Sequence, residues 1–186
     1  MERKTKEKNS RREALDWIIS IAIAVALAFA VRAWVGQLVI VDGPSMQPTL
    51  LTGERVIMGK VEYYFRQPRR GDIVVVKYPG SPYNYIKRVI ATAGERIAIN
   101  DGCVYINGKK LDEPYLSEPI NDSMAEMTIL PGTVYVMGDN RNNSSDSRES
   151  AVGAIPLGHV TGRAYALVWP INKLEKLTQY TGHLEQ

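Results

Sequence analysis

The sequence predicts a mainly β protein, a barrel-like or packed β-sheet domain carried on one N-terminal transmembrane helix. Two observations predict it. A charge-free apolar stretch, "WIISIAIAVALAFAV", runs from Trp17 to Val31. Beyond residue 35 the chain changes to short runs rich in β-branched and aromatic residues, separated by turn signals, with no sustained helical period.

The elements follow in chain order. Residues 1–13 hold six of the 23 basic and three of the 20 acidic residues, which accounts for the whole net charge of +3. The 17 remaining residues of each sign cancel, so the folded part has no basic excess with which to bind nucleic acid. Fifteen helical residues from Trp17 span about 22 Å, short of the roughly 30 Å hydrocarbon core; extension to Ala14–Val35 gives about 33 Å. Asp16 and Arg32 then fall near the ends, with Trp17 and Trp34 at the interfaces. The basic tail places the N-terminus inside and the bulk of the chain outside. Ala28–Ala30 has the small-x-small form of a signal-peptide cleavage site. Val31, Arg32 and Trp34 follow at once, and the polar break is weak, so a retained anchor in a lipid bilayer is expected.

Strands are expected over 36–41, 54–61, 72–78, 84–93, 96–100, 103–108, 133–138 and 163–170. Asn100-Asp101-Gly102, Asn107-Gly108 and Pro131-Gly132 supply turns. Residues 109–132, rich in proline and acid, read as a surface excursion, and the stretch after Pro170 as a place for one short helix. The expected organisation is a cytoplasmic tail (1–13), an anchor (14–35) and an extracytoplasmic β-rich domain (36–186). A single cysteine, Cys103, excludes an intramolecular disulfide, and two histidines with no Cys/His cluster give no basis for zinc.

Three polar clusters interrupt the strands. Ser45 lies in "VDGPSMQPTL" between Gly43-Pro44 and Pro48, a small hydroxyl in a stiff frame that a structural loop would also present. Lys87 lies in "YNYIKRVIATAGE", where alternation puts Tyr85, Lys87 and Val89 on one face and Ile86, Arg88 and Ile90 on the other. One of the two bases must then meet apolar surface, unless Lys87 reaches water from an edge strand. The third, "GDNRNNSSDSR" from Gly138 to Arg148, exceeds the two to five residues a hairpin turn needs. Its paired Asp and Arg residues suggest a fixed loop. His159 and His183 stand in unremarkable settings, so a Ser-His-Asp triad has little support. A neutral lysine can activate serine instead. At an ordinary pKa near 10.4 only about one lysine in 2500 is neutral at pH 7, a cost of about 4.6 kcal/mol, so the lysine must be buried.

"GPSMQPTL", "GDIVVVKYP", "YIKRVIATAGE" and "MGDNRNNSSDSR", in this order after one anchor, resemble the conserved boxes of bacterial type I signal peptidases, in their compact Gram-positive form. These are membrane-bound Ser/Lys endopeptidases that remove signal peptides from exported preproteins. The resemblance implies Ser45 as nucleophile and Lys87 as general base, with Ser144 orienting Lys87 and Asp146 and Arg148 as a structural ion pair. It implies an extended preprotein beside residues 39–43 and 83–86, with Val39, Val41, Leu50, Tyr85 and Ile86 lining shallow pockets. No cofactor, metal or nucleic-acid partner is implied. Three positions depart from the pattern. Gly43 stands where some members carry an oxyanion-hole serine, so serine there is expected to keep or raise turnover. "ATAGE" replaces a more usual turn after the lysine, and Asn142 stands where many members have Asp. The alternatives are a self-cleaving Ser/Lys repressor-type protease, which would need a DNA-binding domain, and a non-catalytic tethered β-module that binds exported proteins.

Overall fold

A computed structural model describes residues 13, 15–27, 36–177 and 180. The chain divides into two units, 1–36 and 37–186. In the first, residues 15–27 are helical and expose Trp17, Ile18 and Ile21. Among the described residues no helix is long and apolar enough to cross a membrane. The expected anchor extends over Ala14 and 28–35, and the basic tail over 1–12, all outside the described residues.

The second unit is mainly β. Its strands are β1 (Gln37–Ile40), β2 (Arg55–Gly59), β3 (Ile73–Lys77), β4 (Asn84–Thr92), β5 (Arg96–Asn100), β6 (Cys103–Ile106), β7 (Lys109–Lys110), β8 (Met124–Thr128), β9 (Thr133–Met137), β10 (Ile155–Pro156), β11 (Val160–Trp169) and β12 (Glu175–Lys176). One sheet has the order β1-β2-β11-β3-β4-β9-β10, with β12 added to β11; the other has β7-β6-β5-β8. All pairings are antiparallel. The larger sheet ends at β1 and β10, an open path rather than a closed barrel.

β-branched residues dominate the buried positions. Ile73, Val74, Val75 and Val76 of β3 are all buried, as is β4 from Lys87 to Ala91. Continuous burial identifies strands covered on both faces. One core cluster joins Ile90 of β4 and Tyr135 and Met137 of β9 to Ile97, Ile99, Val104 and Ile106 of the smaller sheet. A second gathers Val41, Met46, Leu50, Val56, Ile73 and Leu177.

The chain passes from β4 to β5 through "ATAGE", and the substituted turn closes well. Glu95 accepts from the Thr92 amide (2.8 Å) and hydroxyl (3.0 Å), and Gly94 has φ +83°. The 109–132 segment is only partly the expected surface excursion. It carries β7 and β8, buries Leu111, Ile120 and Ile129, and completes the smaller sheet. Of the stretch 171–186, where one short helix was expected, the described part holds a 3-10 turn at Ile171–Lys173 followed by β12, and residues 178–179 and 181–186 lie outside the described residues.

Candidate active site

Ser45 sits in the turn that leaves β1, and Lys87 lies on β4. Lys87 Nζ approaches Ser45 Oγ to 2.6 Å. The serine turn is held from below by Met46 and Leu50, 1% and 0% exposed, whose burial contributes about 1.5–3 kcal/mol each. The Leu50 amide bonds the Met46 carbonyl at 2.9 Å and the Gln47 amide the Pro44 carbonyl at 3.0 Å. Ser45 itself stays half-exposed.

The Gly138–Arg148 loop clamps this turn from the other side. The Asn140 amide donates to the Ser45 carbonyl (3.0 Å) and its side chain to the Pro44 carbonyl (3.2 Å). Thr49 Oγ1 donates to Asp139 Oδ2 at 2.5 Å. Gly138 is required for close approach: a Cβ there would overlap both the Ser45 carbonyl and the Ser144 hydroxyl.

Both neighbouring bases of β4 are buried, Lys87 2% and Arg88 3% exposed, because both faces of the strand are covered. They differ in their partners. Arg88 makes a bidentate pair with Asp139 (2.8 and 2.7 Å) and lies 3.9 Å from the Tyr115 ring centroid. Among the described residues Lys87 has no carboxylate partner of this kind. Burial pushes its pKa down to about 8, against the opposing pull of Asp146 and Asp139. Those two buried carboxylates would hold the lysine charged if they were free. Arg88 neutralises Asp139 and Arg148 neutralises Asp146, the latter through Nε (2.8 Å) and Nη2 (2.9 Å).

The expected Asp146–Arg148 pair is present, and Asp146 also accepts from the Gly138 amide at 3.0 Å. Ser144 donates to Asp146 Oδ2 at 2.8 Å, so the hydrogen bond its hydroxyl makes is to the carboxylate rather than to Lys87. Asn142 has a use of its own. Its amide donates to the Pro119 carbonyl and its carbonyl accepts from the Asn121 amide, both at 2.9 Å. Aspartate could make only the second bond.

A cleft of ≈330 Å³ opens beside the pair, lined among others by Val39, Val41, Ser45, Tyr85, Ile86 and Lys87. Leu50, expected among the pocket residues, is fully buried beneath the serine turn instead; the turn points its side chain into the core. Asp42, Tyr83 and Asn84, within the flanking stretches 39–43 and 83–86 expected for the preprotein, also line the cleft, and Met46 does so without having been expected there. Tyr85 stacks on Tyr78 with centroids 4.0 Å apart, and Tyr78 donates to the Ser145 carbonyl at 2.8 Å. Gly43 has φ +90° with open space where a Cβ would go. What serine would meet there is backbone strain, not a lack of room, which weighs against the expected gain in turnover. Asp139, Thr49 and Asn140 also escaped the sequence reading, although Asp139 stands in the polar loop that was singled out.

A compact β domain with a serine and a buried lysine in contact at the mouth of an apolar cleft defines a candidate serine hydrolase. The profile of the family described as Signal peptidase, peptidase S26 matches residues 14–169. Signal peptidase I of Bacillus licheniformis is 37% identical over 181 residues, 92% of this chain and 97% of that relative. Signal peptidase I T of Bacillus subtilis is 35% identical, covering 92% and 98%. A crystal structure of a signal peptidase I from Enterococcus faecalis aligns with 53% of this chain and 97% of its own at 29% identity and a TM-score of 0.48. The chain belongs to the S26 signal peptidase family, and with it to the serine endopeptidases that process signal peptides.

Proposed function

We propose that this chain removes signal peptides from exported preproteins with a Ser45/Lys87 dyad, anchored in the plasma membrane by residues 14–35 with its β domain outside. The observation that carries the dyad is the 2.6 Å approach of the buried Lys87 amine to the Ser45 hydroxyl. With a pKa of about 8, roughly one lysine in ten is neutral at pH 7. Relative to an ordinary lysine this removes about 3 kcal/mol from the cost of reaching the reactive form.

The neutral amine takes the Ser45 proton as Oγ attacks the scissile carbonyl. The resulting ammonium protonates the departing amine, leaving an acyl-enzyme. Lys87, neutral again, activates the water that hydrolyses it. Asp146, pinned by Arg148, holds Ser144 beside this centre; Asp139, pinned by Arg88, holds the serine turn through Thr49.

The preprotein enters as an extended segment. Among the described residues β1 pairs only with β2, and β4 pairs with β3 over Asn84–Arg88 but with β9 only from Arg88 onward. Free backbone edges therefore flank the cleft at 37–40 and 84–87, suited to an added strand. Val39, Val41, Tyr85 and Ile86 supply its apolar walls.

Ser45→Ala and Lys87→Ala are each expected to abolish cleavage of a preprotein with a small-x-small site while folding normally. Substantial turnover by either variant removes the dyad and favours a binding role. Protease added to spheroplasts should digest the chain beyond residue 36; protection of the β domain would overturn the topology.

A further inference from the structure

We propose that the described C-terminal residues, 173–177 and Tyr180, act as a strap that positions the dyad, with Leu177 and Tyr180 as positioning residues acting on its two halves. The proposal rests on the dyad reading above and adds residues that lie outside every motif of the sequence.

On the serine side, β12 pairs with Ala166 and Leu167 of β11, and the Leu177 amide bonds the Tyr165 carbonyl at 2.8 Å. Leu177 is thereby buried in the same cluster as Val41, Met46 and Leu50, the residues beneath the Ser45 turn. Lys173 reaches Glu54 at 3.3 Å, and Glu54 in turn accepts from the Leu51 amide at 2.8 Å. The strap thus supports the turn at both its apolar floor and its C-terminal end.

On the lysine side, Tyr180 donates to Asp112 at 2.8 Å and packs edge-to-face on Tyr115 with centroids 5.7 Å apart. Tyr115 carries Arg88 on its ring, Arg88 grips Asp139, and Asp139 accepts from Thr49. Arg88 is the strand neighbour of Lys87. The Tyr180 carbonyl also rests on Gly71, where a Cβ would collide with it, and the Gly71 carbonyl accepts from Arg88 at 3.3 Å. Two routes therefore run from Tyr180 to Arg88, through the Tyr115 ring and through the Gly71 backbone.

The consequence is electrostatic as well as geometric. Asp146, Asp139 and Glu149 raise the affinity of the Lys87 amine for its proton, while burial and Arg148 lower it. Withdrawing the Tyr180 ring loosens Arg88 on Asp139 and admits water to that side. Both changes favour the charged lysine. A merely structural tail would lower the folded fraction without moving the titration of the base.

The test uses the full chain in detergent micelles, with kcat, KM and the pH profile of a signal-peptide substrate. Tyr180→Ala is expected to lower kcat roughly fivefold at unchanged KM, since a small misplacement of a base is costly. Its acid limb should move up by about half a pH unit. Tyr180→Phe keeps the ring and loses the Asp112 bond, and should show a smaller shift in the same direction. A wild-type acid limb in Tyr180→Ala, with or without lost activity, overturns the strap. If Tyr180→Ala does not fold, Tyr180→Phe decides: a displaced limb supports the proposal and an unchanged one overturns it. If the wild-type enzyme itself shows no limb near pH 8, the dyad reading fails instead, so the two failures are separable.

Discussion

Asp139→Asn tests why an arginine stands next to the lysine. Asp139 and Arg88 have side chains 0% and 3% exposed and share two hydrogen bonds of 2.7 and 2.8 Å. The substitution is nearly isosteric, so the loss is of charge rather than volume. It leaves the Arg88 guanidinium buried without its carboxylate, which costs about 3–5 kcal/mol. Against a total of about 5–15 kcal/mol for a domain this is a severe loss. Urea denaturation of the full chain in micelles measures it. Glu126→Gln is the internal comparison, because it removes the exposed partner of Arg96 (53% and 44% exposed), worth at most about 1 kcal/mol. The acid limb of the pH–rate profile supplies a second reading. Asp139 raises the Lys87 pKa, so its neutralisation should move the limb to lower pH. The unpaired Arg88 acts in the same direction. A stability loss no larger than that of Glu126→Gln, or a limb displaced upward, would refute the reasoning.

Gly138→Ala should all but eliminate cleavage, since the new methyl overlaps the Ser45 carbonyl and the Ser144 hydroxyl; near-wild-type turnover would mean that the loop does not clamp the serine turn. Gly43→Ser should lower stability by about 1 kcal/mol or more and should not raise kcat, because φ +90° strains any L side chain even where space is open. A gain in kcat would bear out the expectation of a missing hydroxyl donor.

The strands of the core were legible because their β-branched runs are bounded by Gly, Asn and Pro, as in "DIVVVKY" and "TVYVMG". β8 was missed for the complementary reason. Its "MAEMT" is made mostly of helix formers, and its exposed positions carry no apolar alternation. The two-residue strands β7, β10 and β12 are too short for any period to register. At the site, Ser45 and Lys87 stood out as polar residues in stiff or apolar surroundings. Alternation placed Lys87 and Arg88 on opposite faces but could not reveal that both faces are buried, since that depends on the Gly138–Arg148 loop and Tyr115 closing over β4. Leu50 was misplaced because apolarity near a nucleophile does not say whether a turn directs the side chain to the cleft or to the core. Asp139 lay in a loop whose Asp and Arg residues were expected to pair, but its partner, Arg88, comes from β4 and not from that loop.

The central claim is that Lys87 is the base and works as a neutral amine. The measurement that tests it most directly is the pH dependence of kcat/KM for a signal-peptide substrate, which titrates the base of the free enzyme. Rate should rise with pH as the lysine loses its proton, reaching half its plateau near pH 8, with no rise left in Lys87→Arg. A rate that is flat from about pH 6 to 9, or an active Lys87→Arg variant with the same limb, would contradict a neutral lysine as the base.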